Sequence, residues 1–80
     1  MKLPRDLSGV ELARVLSGIG YRISRQTGSH IRLTLEIPTQ HHLTVPAHDP
    51  LKVGTLSAIL AEVAGHLKIS REDLLQQLFG

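Results

Sequence analysis

The apolar positions of this chain follow two periods. Leu12, Val15, Leu16 and Ile19 recur at i, i+3, i+4 and i+7, one face of a helix. Ser8-Gly9-Val10-Glu11 stands in front of them in capping-box form, and Leu7 and Leu12 have the spacing of a hydrophobic staple. Gly20 is placed to stop this helix in a left-handed conformation. The period then drops to two. Tyr21 to Gln26 alternates, with Tyr21, Ile23 and Arg25 on one side and Arg22, Ser24 and Gln26 on the other. His30 to Ile37 alternates more cleanly, with Ile31, Leu33, Leu35 and Ile37 against His30, Arg32, Thr34 and Glu36. Pro38 cannot donate to a ladder and ends that strand. Thr39-Gln40-His41 reads as a loop, and His42 to Val45 as a short third strand closed by Pro46. Asp49-Pro50 can open a turn or a short helical segment. The helical period returns at Leu56, Ile59, Leu60 and Val63, with Thr55 as the expected cap and Gly65 as the expected end. Ser70 caps a third helix with Glu72 and Asp73 in its first turn. Ile69 and Leu74 again have staple spacing, and Leu74, Leu75 and Leu78 form the apolar stripe.

The element order is α-β-β-β-α-α. Three antiparallel strands with one apolar face need a cover, and helices on that face supply it. The expected fold is α+β, a single domain over residues 1–80. Its order is that of the double-stranded-RNA-binding domain with one extra C-terminal helix; the order alone carries no function. The hairpin register follows from the pleat. Ile23 and Leu33 must share the core face. A three-residue loop Thr27-Gly28-Ser29, with Gly28 in the left-handed region, satisfies this by pairing Gln26 with His30 and Ser24 with Arg32. The polar face then carries Arg22, Ser24, Gln26, His30 and Arg32, joined by His42 and Thr44 from the third strand. A bulge would alter the detail.

Composition narrows the chemistry. Eighty residues hold one small core, so a site must lie on the surface or in a shallow groove. The absence of cysteine excludes disulfides, zinc ribbons, thiolate nucleophiles and iron–sulfur clusters, and fits a reducing compartment. Charges sit early, in Met1-Lys2-Leu3-Pro4-Arg5-Asp6, where a signal peptide needs its apolar stretch. The longest apolar run, Ala58-Ile59-Leu60-Ala61, is far too short to span a bilayer. The expected location is cytoplasmic. Residues 1–35 hold six basic side chains against two acidic ones, and residues 36–80 hold three against five. Five of the six early cations are arginines, the better fork for phosphate, which points to an anionic partner.

His30 is the leading candidate for chemistry. A histidine works as a general base or acid near neutral pH, and this one stands among arginines at alternating positions. The matching reaction is RNA cleavage: a base takes the ribose 2′-hydroxyl proton, the oxygen attacks the adjacent phosphate, and Arg22 or Arg32 stabilises the growing charge. No metal or cofactor is needed. A single histidine on a polar face is by itself a weak signal. His41 and His42 are adjacent and point to opposite faces of a strand. No histidine pair has chelating spacing, so no metal site is expected. His48 and His42 are secondary acid/base candidates. His66 follows the expected helix end and suits the helix dipole. No phosphate loop, dinucleotide fingerprint or nucleophile elbow occurs. One Tyr and one Phe are too few for a base-stacking platform, so backbone and 2′-hydroxyl contacts would have to carry RNA binding.

Five pieces carry a family resemblance: Ser8-Gly9-x-Glu11-Leu12, Leu16-x-x-x-Gly20-Tyr21, Arg25-Gln26-x-Gly28-Ser29-His30, Val45-Pro46-x-His48, and Lys52-x-Gly54-Thr55-Leu56-x-x-Ile59-Leu60. In order and spacing, from Leu7 to Leu75, they resemble the HicA-type mRNA interferase toxins of prokaryotic toxin–antitoxin pairs. The resemblance implies the double-stranded-RNA-binding-like fold and a metal-independent endoribonuclease acting on mRNA. It implies a HicB-type antitoxin as protein partner, with higher-order toxin–antitoxin complexes, and no membrane. The family's catalytic histidine, in a Gly-Ser-His segment, maps onto His30. The expected RNA-binding set around it is Arg22, Ser24, Arg25, Gln26, Ser29 and Arg32. This chain departs from the family in an extended His41-His42 loop and in Asp49-Pro50. Two alternatives stand beside this reading. One is a non-catalytic RNA-binding module of the same fold, supported by the arginine excess. The other is a protein-interaction domain, supported by a short polar sheet edge.

Overall fold

The computed structural model describes residues 3–80; Met1 and Lys2, the latter one of the six early cations, lie outside the described residues. The element order is α1 (Gly9–Ser17), β1 (Arg22–Thr27), β2 (His30–Leu35), β3 (His41–Pro46), α2 (Val53–Leu67) and α3 (Arg71–Phe79). The strands form one antiparallel sheet in the order β1-β2-β3. The expected α+β fold, a three-stranded sheet covered on one face by helices, is therefore observed.

α1 starts where local chemistry requires. Ser8 Oγ accepts from Glu11 N at 3.0 Å, and Ser8 N donates to Glu11 Oε1 at 3.0 Å, so both halves of the capping box form. Gly9 is the first residue of α1, and its close approach to β3 tolerates no side chain: an added Cβ would overlap the Pro46 carbonyl. Gly9 N also donates to the His48 carbonyl at 2.9 Å. The helix ends at Ser17, three residues before Gly20, and Gly20 reverses the chain with φ +114°.

The core joins the inner sheet face to the helices. Leu12, Leu16, Leu33, Val45, Leu60, Val63 and Leu74 are all fully buried. Tyr21, Ile31, Leu43 and Leu56 belong to the same cluster, to which α3 adds Leu75. Ala13 is buried too, although it lies off the apolar stripe read from the sequence. Ile23 pairs with Leu33 as the pleat requires, but it lies on the edge strand β1, none of whose residues is buried, and is 52% exposed. β2 ends at Leu35 rather than Ile37, and Ile37 is exposed. The third strand starts one residue earlier than expected, because His41 pairs with Leu35.

α2 departs from its expected ends. It begins at Val53, after Lys52 and without a side-chain cap, and Thr55 lies inside its first turn. Leu51 sets this start: its side chain is buried and its N–H donates to the Leu7 carbonyl at 2.8 Å. The helix runs past Gly65 to Leu67. Lys68 then takes the left-handed conformation (φ 58°), and Lys68 N and Ile69 N bond back to Gly65 and Ala64. This Schellman-type closure is completed by Ile69 packing on the core. α3 starts at its expected cap, Ser70 Oγ accepting from Asp73 N at 3.0 Å.

Candidate functional site on the polar sheet face

The β1–β2 turn is tighter than the pleat argument allowed. Thr27 pairs with His30, leaving a two-residue Gly28-Ser29 loop. Gly28, at φ +50°, holds the first loop position, where a II′ turn needs positive φ. The missing residue reappears as a bulge: Ile23 pairs with Leu33 and Arg25 with Arg32, so Ser24 has no partner. The bulge shifts the alternation by one residue. Arg25 and Thr27 move to the face of His30 and Arg32. Gln26, expected on that face, pairs instead with Ile31 and leaves it.

The result is a polar pocket of about 200 Å³ lined by Arg25, Thr27, His30, Arg32 and Thr44. Helices fill the opposite face of the sheet and none covers this one, so the pocket opens to solvent. His30 is exposed, and its Nδ1 lies 3.3 Å from Ser29 Oγ. With Ser29 as acceptor, Nε2 is the free ring nitrogen. Thr44 stands on the face expected for it, whereas Thr27 was not expected there. The signal for Thr27 was hidden by its assignment to the loop.

The other end of the face is built differently. Thr34 is buried at 2% exposure and is the hub of a hydroxyl chain. His42 Nδ1 lies 3.1 Å from Thr34 Oγ1, Thr34 Oγ1 donates to Ser24 Oγ at 2.9 Å, and Ser24 Oγ donates to the Arg32 carbonyl at 3.3 Å. Each hydroxyl has one proton to give, so the chain assigns His42 Nδ1 as a donor and leaves Nε2 outward. Arg22 pairs with Thr34 in the ladder and reaches Glu36 at 3.6 Å. Thr34 and His30 are four residues apart, about 13 Å along the strand. The structure therefore brings Arg25, not Arg22, beside His30. His42 shares the face but not the pocket, and His48 is exposed in the segment after β3.

His41 has a structural place rather than a loop position. Tyr21 Oη donates to its Nδ1 at 2.7 Å, and its Nε2 donates to Glu62 at 3.1 Å. Its ring stacks on His66 with 4.3 Å between centroids. His66 lies inside α2 rather than after it, and its Nε2 donates to the Thr39 carbonyl at 3.0 Å. These contacts fasten the β2–β3 connection to α2. Burial, then the Glu62 charge, push the Tyr21 hydroxyl up to about 12. The bond from Ser8 N holds the Glu11 carboxyl below its ordinary range.

Among the described residues no group of three His, Asp or Glu side chains is placed to hold a metal ion. No described helix is long and apolar enough to cross a membrane. Comparison with curated proteins and with solved structures finds no match. A family model described as the HicA toxin of bacterial toxin–antitoxin systems matches residues 9–65, from α1 through most of α2, leaving α3 outside. That match spans the Ser8–Glu11 helix start nearly in full, the bulged hairpin and the Lys52–Thr55 helix start. On this coverage the chain belongs to the HicA toxin family.

Proposed function

We propose that this toxin is an mRNA interferase: a metal-independent endoribonuclease whose general base is His30. The observation that carries the reading is the pocket on the polar face, where an exposed imidazole stands next to a cross-strand pair of arginines, Arg25 on the adjacent strand and Arg32 on its own. His30 Nε2 takes the proton of a ribose 2′-hydroxyl. The 2′-oxygen attacks the neighbouring phosphorus, and the guanidinium groups of Arg25 and Arg32 balance the charge that grows on the non-bridging oxygens. Thr27 and Thr44 supply hydroxyls to the same phosphate. Ser29 fixes the imidazole through Nδ1. Family membership implies an antitoxin partner; a HicB-type antitoxin covering this open face would silence it. Cytoplasmic location, where mRNA is met, agrees with this role.

The test is cleavage of a long unstructured RNA by the purified protein in the presence of chelator, beside His30→Ala checked for folding by circular dichroism. We expect cleavage by the wild type and none by the folded variant. Equal cleavage by both would move the base to another histidine. Salt-sensitive binding without cleavage by either would favour the RNA-binding module.

A further inference from the structure

Thr44 lines two hollows. One is the pocket of His30; the other is a groove of about 860 Å³ between β3 and α2. The direction of the groove follows from its far end. His41, the first residue of β3, bonds Glu62 and stacks on His66, both in the second half of α2. α2 therefore runs antiparallel to β3, and the residues at its start lie beside the last of β3. Lys52 and Pro46 mark that near end. Pro46 is also the ladder partner of His30. The groove thus opens one strand beyond His30, about 5 Å across the sheet, and the exposed Thr44 is the rim that both hollows share.

The lining changes character from end to end. At the near end Lys52 is exposed, and among the described residues it forms no salt bridge. Thr55, three residues on, adds a hydroxyl to the same wall. The middle of that wall is low, because Gly54 and Ala58 carry little side chain and both are exposed. Leu43 and Ile59, 4% and 7% exposed, form an apolar floor. At the far end Glu62 is already engaged by His41, and its carboxylate repels a further anion. The groove does not suit an added strand, since α1 packs Gly9 against the Pro46 carbonyl and closes the backbone edge of β3 there. It offers a cation and hydroxyls beside the pocket, then apolar volume, then a barrier to phosphate. That sequence of surfaces complements one nucleotide, and the volume falls within the range of about 300–1,000 Å³ typical of small-ligand sites.

We infer that the groove is a subsite for the nucleotide next to the cleaved bond: Lys52 and Thr55 hold its phosphate, and its base lies over Ala58 and Ile59. This rests on the RNA-cleavage reading above. An RNA chain whose scissile phosphate lies at His30 has to leave the pocket, and the way out over Thr44 leads to Lys52, the one Lys or Arg of the groove. Adjacent phosphates are then held on either side of β3, one by Arg25 and Arg32 and the next by Lys52. Two fixed points lay the RNA across the sheet and hold the scissile phosphate against the imidazole, a positioning effect. The base is seated on aliphatic side chains, in a protein that has no aromatic platform to offer it. The Lys52-x-Gly54-Thr55 segment, which the pocket itself does not use, acquires a purpose as cation, clearance and hydroxyl in turn.

The test is binding of a short, labelled, mixed-sequence single-stranded RNA to the whole chain carrying His30→Ala, which on the cleavage reading keeps the RNA intact, over a series of salt concentrations. Adding Lys52→Gln is expected to weaken binding and to lower the slope of log K against log salt by about 0.7, the share of one phosphate contact on a single strand. Ala58→Leu, which fills the groove without changing charge, is expected to weaken binding severalfold. Arg14→Gln removes the same charge from α1, on the other side of the sheet, and is expected to leave the slope as it was. Circular dichroism checks the fold of each variant. Equal slopes for the Lys52 and Arg14 variants would overturn the subsite, because only net charge would then matter. Undiminished binding with Ala58→Leu would overturn it as well. RNA binding untouched by both groove variants, with capture of the antitoxin weakened by both, would assign the groove to that protein and sink the inference. Cleavage by the chain with His30 in place is read separately. Binding through Lys52 without any cleavage would uphold the subsite and remove the catalytic role of His30, whereas no RNA binding by any of these chains would overturn both.

Discussion

Tyr21 is the chain's one tyrosine, and its hydroxyl has a single good partner, His41 Nδ1 at 2.7 Å. The ring is buried and Glu62 lies on the far side of His41, so the phenolate is disfavoured first by lost solvation and then by like charge. A hydroxyl raised from 10.0 to about 12 on folding contributes stability that is fully present below the unfolded value and is lost as pH climbs from there through about 12. Phenolate absorbance therefore reads one group without assignment. We expect a titration midpoint near 12 in the folded protein. Glu62→Gln should lower it without returning it to 10.0, because burial is the larger cause. A midpoint at 10.0 with circular dichroism intact would mean that the ring is not held as described.

At the scale of elements, the hairpin makes a sharper claim. The bulge at Ser24 places Arg25 on the face of His30 and removes Gln26 from it. Arg25→Gln is expected to slow cleavage by about tenfold or more, as the loss of a charge-stabilising donor does, and to flatten the salt dependence of RNA binding by about one phosphate contact. Gln26→Ala is expected to leave both nearly unchanged. The reverse ranking would restore the unbulged register. The contrast also shows what was legible beforehand. The starts of α1 and α3 were readable because Ser8, Glu11 and Ser70 act on backbone within three residues. The shared face of Ile23 and Leu33 was readable because the pleat demands it. Two backbones satisfy that demand, however: a three-residue loop, or a two-residue loop with a bulge. What distinguishes them is Ser24 Oγ on the Arg32 carbonyl and on Thr34, a contact between strands that no periodicity records. The same limit applies to α2. Its ends depend on Leu51 bonded to Leu7 and on Ile69 reaching the core, so Thr55 and Gly65 were misleading local signals. His30, Arg32 and Thr44 were placed correctly on one face, while Thr27 and the buried hub Thr34 emerged only with the fold.

For the whole molecule the question is whether α3 belongs to the working unit, since the family match stops at residue 65. A chain of 80 residues buries only about 60% of its unfolded surface and has little stability to spare. Its core is a thin layer between one sheet face and the helices, within overall extents of 31 × 28 × 18 Å. α3 supplies Leu74 and Leu75 to that layer, both essentially fully buried, and packs on α1 as well as α2. α1 in turn is seated on β3 through Gly9 against the Pro46 carbonyl, and Pro46 is the ladder partner of His30. Mechanical support thus passes from α3 through α1 to the end of β3 and the floor of the pocket. Leu74→Ala should cost about 2–5 kcal/mol, as truncation of a buried leucine does, a large share of what a domain of this size holds. Urea unfolding monitored by circular dichroism would show the midpoint fall steeply with the slope unchanged. RNA cleavage at temperatures well below the new midpoint should persist, because no side chain of the pocket is altered. An unchanged midpoint would make α3 an appendage to a five-element domain; the buried, two-helix contact of Leu74 and Leu75 argues that it is the sixth element of one core.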